Sequence, residues 1–138
     1  MIKLAVIGAG NICHKHLEVV RSLKNFELVS IYSRTKKKSI NVSKKFGIKK
    51  VFSSINKMFD EENYDAVLVF VGAENMYKTL TKVIKYEIPF FFEKPAALNL
   101  KQTEDLSKLA NKHKVKNMIG LNRRFYSIFN KALKYLKK

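Results

Sequence analysis

The sequence predicts an α/β protein built on a doubly wound, parallel sheet of six strands in the order 3-2-1-4-5-6. Three observations predict it. Short apolar runs alternate with helical patterns along the chain, and residues 66–71 are continuously apolar, as in a parallel strand buried on both faces. The glycine-bearing turn Gly8-Ala9-Gly10-Asn11 joins the first strand to the first helix. At 138 residues the chain suffices for one core and is too short for two full domains.

The elements follow in order. Ile2–Ile7 reads as a strand, and a helix follows over about 11–24, with Ile12, Val19, Val20 and Leu23 expected toward the core. Phe26–Tyr32 is the second strand and Lys36–Phe46 a basic helix, closed by Gly47 where a left-handed cap is wanted. Lys50–Phe52 is a short strand, after which Ser53 or Ser54 can cap a helix running to about Glu62. Residues 64–71 form the clearest strand, and 74–86 a helix. Pro89 opens a fifth strand over 89–92, where a missing N–H costs least. Asn99 caps a helix reaching about Lys114, with Leu106, Leu109, Ala110 and His113 on one face. Residues 117–121 make the sixth strand, and the pattern turns helical again from about Ser127.

Composition limits the function. The net charge of +17 raises nucleic acid or another polyanion as a partner. Only Arg21, Arg34, Arg123 and Arg124 among the 28 basic residues are arginine, however, and the lysines are spread over the whole chain. Specific phosphate and base readout favours the planar guanidinium, so nucleic-acid binding is disfavoured and a general pull on anionic ligands is expected. No apolar run nears the roughly 18–20 residues that cross a bilayer, and nothing resembles a secretory leader, so no membrane association is expected. One cysteine, Cys13, excludes an internal disulfide framework and fits a cytoplasmic location. No metal site is expected.

Gly8-Ala9-Gly10-Asn11-Ile12-Cys13 sits where a dinucleotide fingerprint should, directly after a strand and opening a helix. Gly8 permits the tight turn and Gly10 a close approach of pyrophosphate, which the amides at Asn11 and Ile12 can meet. Cys13 replaces the usual third small residue; a packed thiol is expected there, with a reactive thiol at a helix start as the alternative. An NAD-preferring site carries an acid after the second strand, and here Ser33, Arg34 and Thr35 stand instead. Two hydroxyls and a guanidinium favour NADP over NAD; a solvated basic loop is the alternative. After the fourth strand, Val71, Gly72 and Ala73 can admit a nicotinamide close to the backbone. After the fifth comes Glu93-Lys94-Pro95, with a lysine at the crevice edge and a proline that can adopt the cis form.

At this point the sequence resembles the glucose-fructose oxidoreductase, inositol dehydrogenase and rhizopine-catabolism family (Gfo/Idh/MocA). The resemblance rests on Gly8-Ala9-Gly10-Asn11 with His16 beyond it, Asp65-Ala66-Val67, Glu93-Lys94-Pro95, and Gly120-Leu121-Asn122-Arg123-Arg124-Phe125, in that order. It implies a Rossmann domain over residues 1–121, and a linker with the start of a helix over 122–138 that leads toward a substrate domain. It also implies hydride transfer between NAD(P) and a small-molecule sugar, inositol or sugar-nucleotide hydroxyl. Lys94 would be the catalytic residue, near both nicotinamide and substrate. Glu93 and Asn122 would stand at the cofactor, and Arg123 on the substrate side.

Two departures qualify the expectation. The family's threonine-proline turn and following histidine are replaced by Val71-Gly72-Ala73-Glu74-Asn75-Met76. The family also continues into a catalytic α/β domain that supplies a histidine, and this domain is expected to be absent from a chain of 138 residues. His14, His16 and His113 are read as structural, not as replacements. Phe125, Phe129, Ala132, Leu133 and Leu136 form an apolar stripe that calls for a covering surface or self-association through the last helix. The competing readings are a stand-alone nucleotide-binding or regulatory module without catalysis, and a basic polyanion-binding protein.

Overall fold

Strand β1 (Ile2–Ile7) lies within an all-parallel, six-stranded sheet of order β3-β2-β1-β4-β5-β6. The other strands are β2 (Phe26–Tyr32), β3 (Lys50–Phe52), β4 (Ala66–Val69), β5 (Phe90–Phe92) and β6 (Asn117–Ile119). The helices are α1 (Asn11–Ser22), α2 (Lys36–Phe46), α3 (Ile55–Glu61), α4 (Ala73–Val83), α5 (Leu100–Lys112) and α6 (Ser127–Leu136). The computed structural model describes residues 1–136. The strand order reverses between β1 and β4, so their carboxyl ends open a crevice that no crossover helix covers.

Local chemistry sets the boundaries. Ser54 and Asn99 cap α3 and α5, accepting hydrogen bonds from the backbone N–H of Lys57 and Gln102, each worth about 1 kcal/mol. Gly47 ends α2 in the left-handed conformation at φ 72°. Alternate strand residues feed two apolar layers. Ala5, Ile7, Val67, Val69, Phe90 and Phe92 pack with Met58 of α3, Leu80 of α4 and Leu106 of α5. Val6 and Ile31 face the other way, onto Cys13 and Leu17 of α1 and Val42 and Phe46 of α2. The doubly wound arrangement is thus written in the period-2 pattern of the strands.

Two sequence expectations change. On α1 the buried residues are Cys13 and Leu17, while Ile12, Val19 and Leu23 are 38%, 60% and 47% exposed. At about 100° per residue, this helix carries two apolar stripes roughly a third of a turn apart. It can lay only one on the sheet, and the one holding Cys13 starts directly at the turn. Strand β4 is also shorter than 64–71. Tyr64 precedes the ladder but is buried: its hydroxyl donates to the Met58 carbonyl at 3.0 Å and pairs with Ser30 Oγ at 2.6 Å. Phe70 and Val71 leave the ladder at the other end, where Phe70 N–H still donates to Ile7 O at 2.7 Å.

Candidate cofactor site

The turn after β1 uses its two glycines for different reasons. Gly8 has φ 109°, and a Cβ added there would lie 2.3 Å from the Phe70 carbonyl oxygen. Its N–H donates to Tyr32 O at 2.8 Å, which ties the turn to the end of β2. The fold itself therefore requires Gly8. Gly10 is different: its φ of −86° suits any residue, and an added Cβ would meet nothing within 4 Å. It caps α1 without a side-chain hydrogen bond, leaving the first amides, at Asn11 and Ile12, to a ligand or to water. Cys13 is fully buried one step further on, and burial pushes its thiol up to about 12. With no thiolate near neutral pH, the reactive-thiol alternative is overturned.

A cleft of about 350 Å³ opens beyond this turn, between β1, β2 and β4. It brings together Gly8, Gly10, Ser33, Arg34, Thr35, Val71 and Gly72. Asn11, Ile12 and Ala73 stand just outside the lining, on the first turns of α1 and α4. Thr35 is the N-cap residue of α2, and its N–H donates to Ser33 Oγ at 3.4 Å. Arg34 reaches across the cleft, where Nη1 donates to Asn75 Oδ1 at 3.2 Å. The far wall is α4, which contributes Glu74, Asn75, Lys78 and Lys82; Lys38 of α2 joins the near wall.

The second group of candidate residues lies at the carboxyl ends of β5 and β6. Glu93 continues from β5, with its N–H donating to Val69 O at 3.2 Å. His16 Nε2–H donates to Glu93 Oε1 at 2.6 Å, and the imidazole stacks on Phe70 with centroids 4.6 Å apart. Phe91 meets the same imidazole edge-on. Lys94 is exposed and precedes a cis peptide bond to Pro95; its backbone N–H donates to Glu93 Oε2 at 3.3 Å. Asn122 and Arg123 are exposed on the one-turn 3-10 helix Asn122–Phe125 that follows β6. None of these four lines the cleft at the glycine turn.

Sequence reasoning missed two features. His16, read as structural, ties the helix that starts at the glycine turn to the segment bearing Lys94. Its place beyond the glycine turn was part of the motif, but nothing in the sequence pointed to Glu93 as its partner. The α4 wall was also missed, although Glu74, Lys78 and Lys82 recur at i, i+4 and i+8. Among the described residues no group of three or more His, Cys, Asp or Glu is arranged to hold a metal, and no helix is long and apolar enough to cross a membrane.

This geometry, a glycine turn at the switch point of a 3-2-1-4-5-6 sheet, agrees with what known proteins show. A model of the oxidoreductase family with an NAD-binding Rossmann fold matches residues 2–121. The chain belongs to this Gfo/Idh/MocA family. Among relatives of this Gfo/Idh/MocA chain, the scyllo-inositol 2-dehydrogenase (NADP(+)) of Bacillus subtilis is 27% identical over 140 residues, covering 100% of this chain and 42% of that protein. The myo-inositol 2-dehydrogenase of Thermotoga maritima is 27% identical over 130 residues, covering 94% of this chain and 39% of that protein. The crystal structure of a probable dehydrogenase from Thermotoga maritima superposes with a TM-score of 0.88 at 26% identity, covering 99% of this chain and 41% of that one. A scyllo-inositol dehydrogenase from Lactobacillus casei, solved with NAD(H) and scyllo-inositol, shares the fold with a TM-score of 0.89 at 20% identity, over 99% of this chain and 41% of that one. The Gfo/Idh/MocA chain thus spans about two-fifths of the length of the relatives it matches.

Proposed function

We propose that this chain is the cofactor-binding part of an NADP-preferring oxidoreductase acting on a hydroxyl of a sugar, inositol or sugar nucleotide. The observation that carries the reading is Gly10. Nothing in the fold needs a glycine there, yet the position is empty space above the unclaimed amides of a helix start. Such a place suits a pyrophosphate, which the amides and the helix dipole attract.

The remaining roles follow from position. Asn11 and Ile12 contribute backbone amides to the pyrophosphate. Ser33, Arg34 and Thr35 take the adenosine ribose, and the lack of a carboxylate among them leaves a 2′-phosphate unopposed. Val71, Gly72 and Ala73 line the path of the nicotinamide half, and Glu93, Lys94 and Asn122 flank its end. When bound, the nicotinamide supplies the two-electron hydride acceptor or donor. The Lys94 ammonium would donate a hydrogen bond to the substrate oxygen and stabilise the charge on it while its proton passes to a base of the proposed substrate domain, with Arg123 on the substrate side.

Residues 122–138, of which 137 and 138 lie outside the described residues, are proposed to form a linker toward a substrate domain. Phe125, Phe129, Leu133 and Leu136 are each about half or more exposed, an apolar surface that such a domain or a second copy of the chain would cover. A cytoplasmic location is part of the same reading and is supported by the single, buried thiol. Fluorescence titration with NADPH and NADH tests the cofactor assignment. NADPH is expected to bind about tenfold or more tightly; equal binding of both removes the NADP preference, and binding of neither removes the cofactor assignment.

A further inference from the structure

The charge lining the cleft is lopsided. Arg34, Lys38, Lys78 and Lys82 are cationic, and Glu74 is the single anion. The lysines of α4 stand one turn apart on the helix ridge that faces Arg34, so the cleft has a cationic wall on each side. Glu74 offsets one of these four charges and leaves the cleft cationic, and Asn75 bridges Glu74 to Arg34. Asn75 Nδ2 donates to Glu74 Oε1 at 2.7 Å, and Asn75 Oδ1 accepts from Arg34 Nη1 at 3.2 Å. The amide can be oriented only this way: flipped, it would set its NH2 against the guanidinium and its oxygen against the carboxylate.

An exposed arginine ordinarily loses side-chain freedom when it binds an anion. Here one of its five N–H groups is already spent on Asn75, and the guanidinium is held across the cleft with the rest free. Holding the fork in place before the ligand arrives lowers the cost of binding. A phosphate monoester carries close to two negative charges near neutral pH, so one guanidinium neutralises it only in part. Lysines from both walls can complete the charge.

We propose that Arg34, Lys38 and Lys78 form a pocket for the 2′-phosphate of an adenosine ribose, and that Asn75 is the positioning residue that presents Arg34 to it. This inference rests on the NADP reading above and adds its residues on α4. A ligand with a 2′-hydroxyl presents no charge there for Lys78 or the held guanidinium to pair with, so Asn75 and Lys78 act on selectivity more than on affinity for adenosine as such.

The test uses adenosine 2′,5′-bisphosphate and AMP, which differ only in the 2′-phosphate, titrated calorimetrically into the full chain. The wild type, Arg34→Ala, Asn75→Ala and Lys78→Gln are compared, with thermal melting as the control for folding. Asn75→Ala and Lys78→Gln are each expected to weaken the bisphosphate about five- to tenfold and to leave AMP within about twofold. Added salt should weaken the bisphosphate more steeply in wild type than in Lys78→Gln. If Arg34→Ala collapses the preference while Asn75→Ala and Lys78→Gln retain it, the pocket is wrong and the NADP reading stands. If the wild type shows no preference for the bisphosphate, or Arg34→Ala leaves the preference intact, the NADP reading fails and the pocket with it. Equal losses for both ligands in Asn75→Ala would assign that residue a structural role and overturn its positioning role.

Discussion

At one end of the crevice, Arg34 faces α4 across a walled cleft and is hydrogen-bonded to its opposite side; at the other, Lys94, Asn122 and Arg123 stand on exposed turns. Both ends sit at the carboxyl edge of the same sheet, so the difference does not come from topology. It comes from what lies beside the strands. The cleft has α2 and α4 to wall it, because β2 and β4 both feed helices that flank their ends. The segment after β5 is held by the backbone ladder, the His16–Glu93 hydrogen bond and the buried Ala97, and it leaves the Lys94 side chain exposed. A cofactor lying along the crevice would therefore draw most of its binding energy from the proposed adenosine and pyrophosphate end, and Lys94 would contribute to chemistry more than to affinity.

The two glycines at the pivot offer the largest contrast. Gly8→Ala forces a left-handed backbone on alanine and drives its Cβ into the Phe70 carbonyl, so a loss of about 3 kcal/mol or more is expected in urea unfolding. Gly10→Ala should cost under about 1 kcal/mol of stability, yet weaken NADPH about tenfold by filling the space above the helix start. Similar stability losses for both would erase the distinction between a glycine held for the fold and one held for a ligand.

His16→Ala should come next. It strips Oε1 of the mostly buried Glu93 carboxylate of its donor and removes a ring stacked on Phe70, with an expected cost of about 1–3 kcal/mol. His16→Gln retains a donor and should recover part of it, measured by the same unfolding curves. Lys94→Ala sits at the other extreme. Its side chain is exposed, so stability should stay within about 0.5 kcal/mol and NADPH affinity within about threefold. A loss as large as that of Arg34→Ala would reverse the ranking of the two ends.

A pH effect tests the burial of Cys13. Its thiol moves from 9.0 to about 12 on folding, so above pH 9 the unfolded chain releases a proton that the folded chain keeps. Stability should then fall as pH rises from 9 toward 12, by up to about 1.4 kcal/mol per pH unit from this group. Replacing Cys13 with alanine should flatten the curve between pH 9 and 10 and reduce its slope above, where the Tyr64 hydroxyl, also pushed up to about 12 by burial, keeps part of it; an unchanged slope between pH 9 and 10 would speak against the buried thiol as its source.

The strand order, the caps at Ser54 and Asn99 and the left-handed Gly47 were legible in the sequence because each depends on nearby residues or on the strand period. The face of α1 was not. Two apolar stripes on one helix are equivalent until the sheet selects one, and that choice is tertiary. The end of β4 was misread for a related reason: apolar residues continue through Val71, but the ladder stops where Gly8 presses against Phe70. In the site, Gly8, Gly10 and the Ser33-Arg34-Thr35 loop were visible as local patterns. The His16–Glu93 pair and the Arg34–Asn75 bridge join residues 77 and 41 positions apart, and no local pattern encodes either.

The most direct test of the difference between the two ends compares NADPH with 2′-phospho-ADP-ribose, which lacks the nicotinamide, in calorimetric titration of this chain. If the adenosine and pyrophosphate end supplies the affinity, the two ligands should bind within about threefold of one another. Binding of NADPH more than about thirtyfold tighter, or of NADPH alone, would contradict the account and move the main binding energy to the segment that carries Glu93 and Lys94.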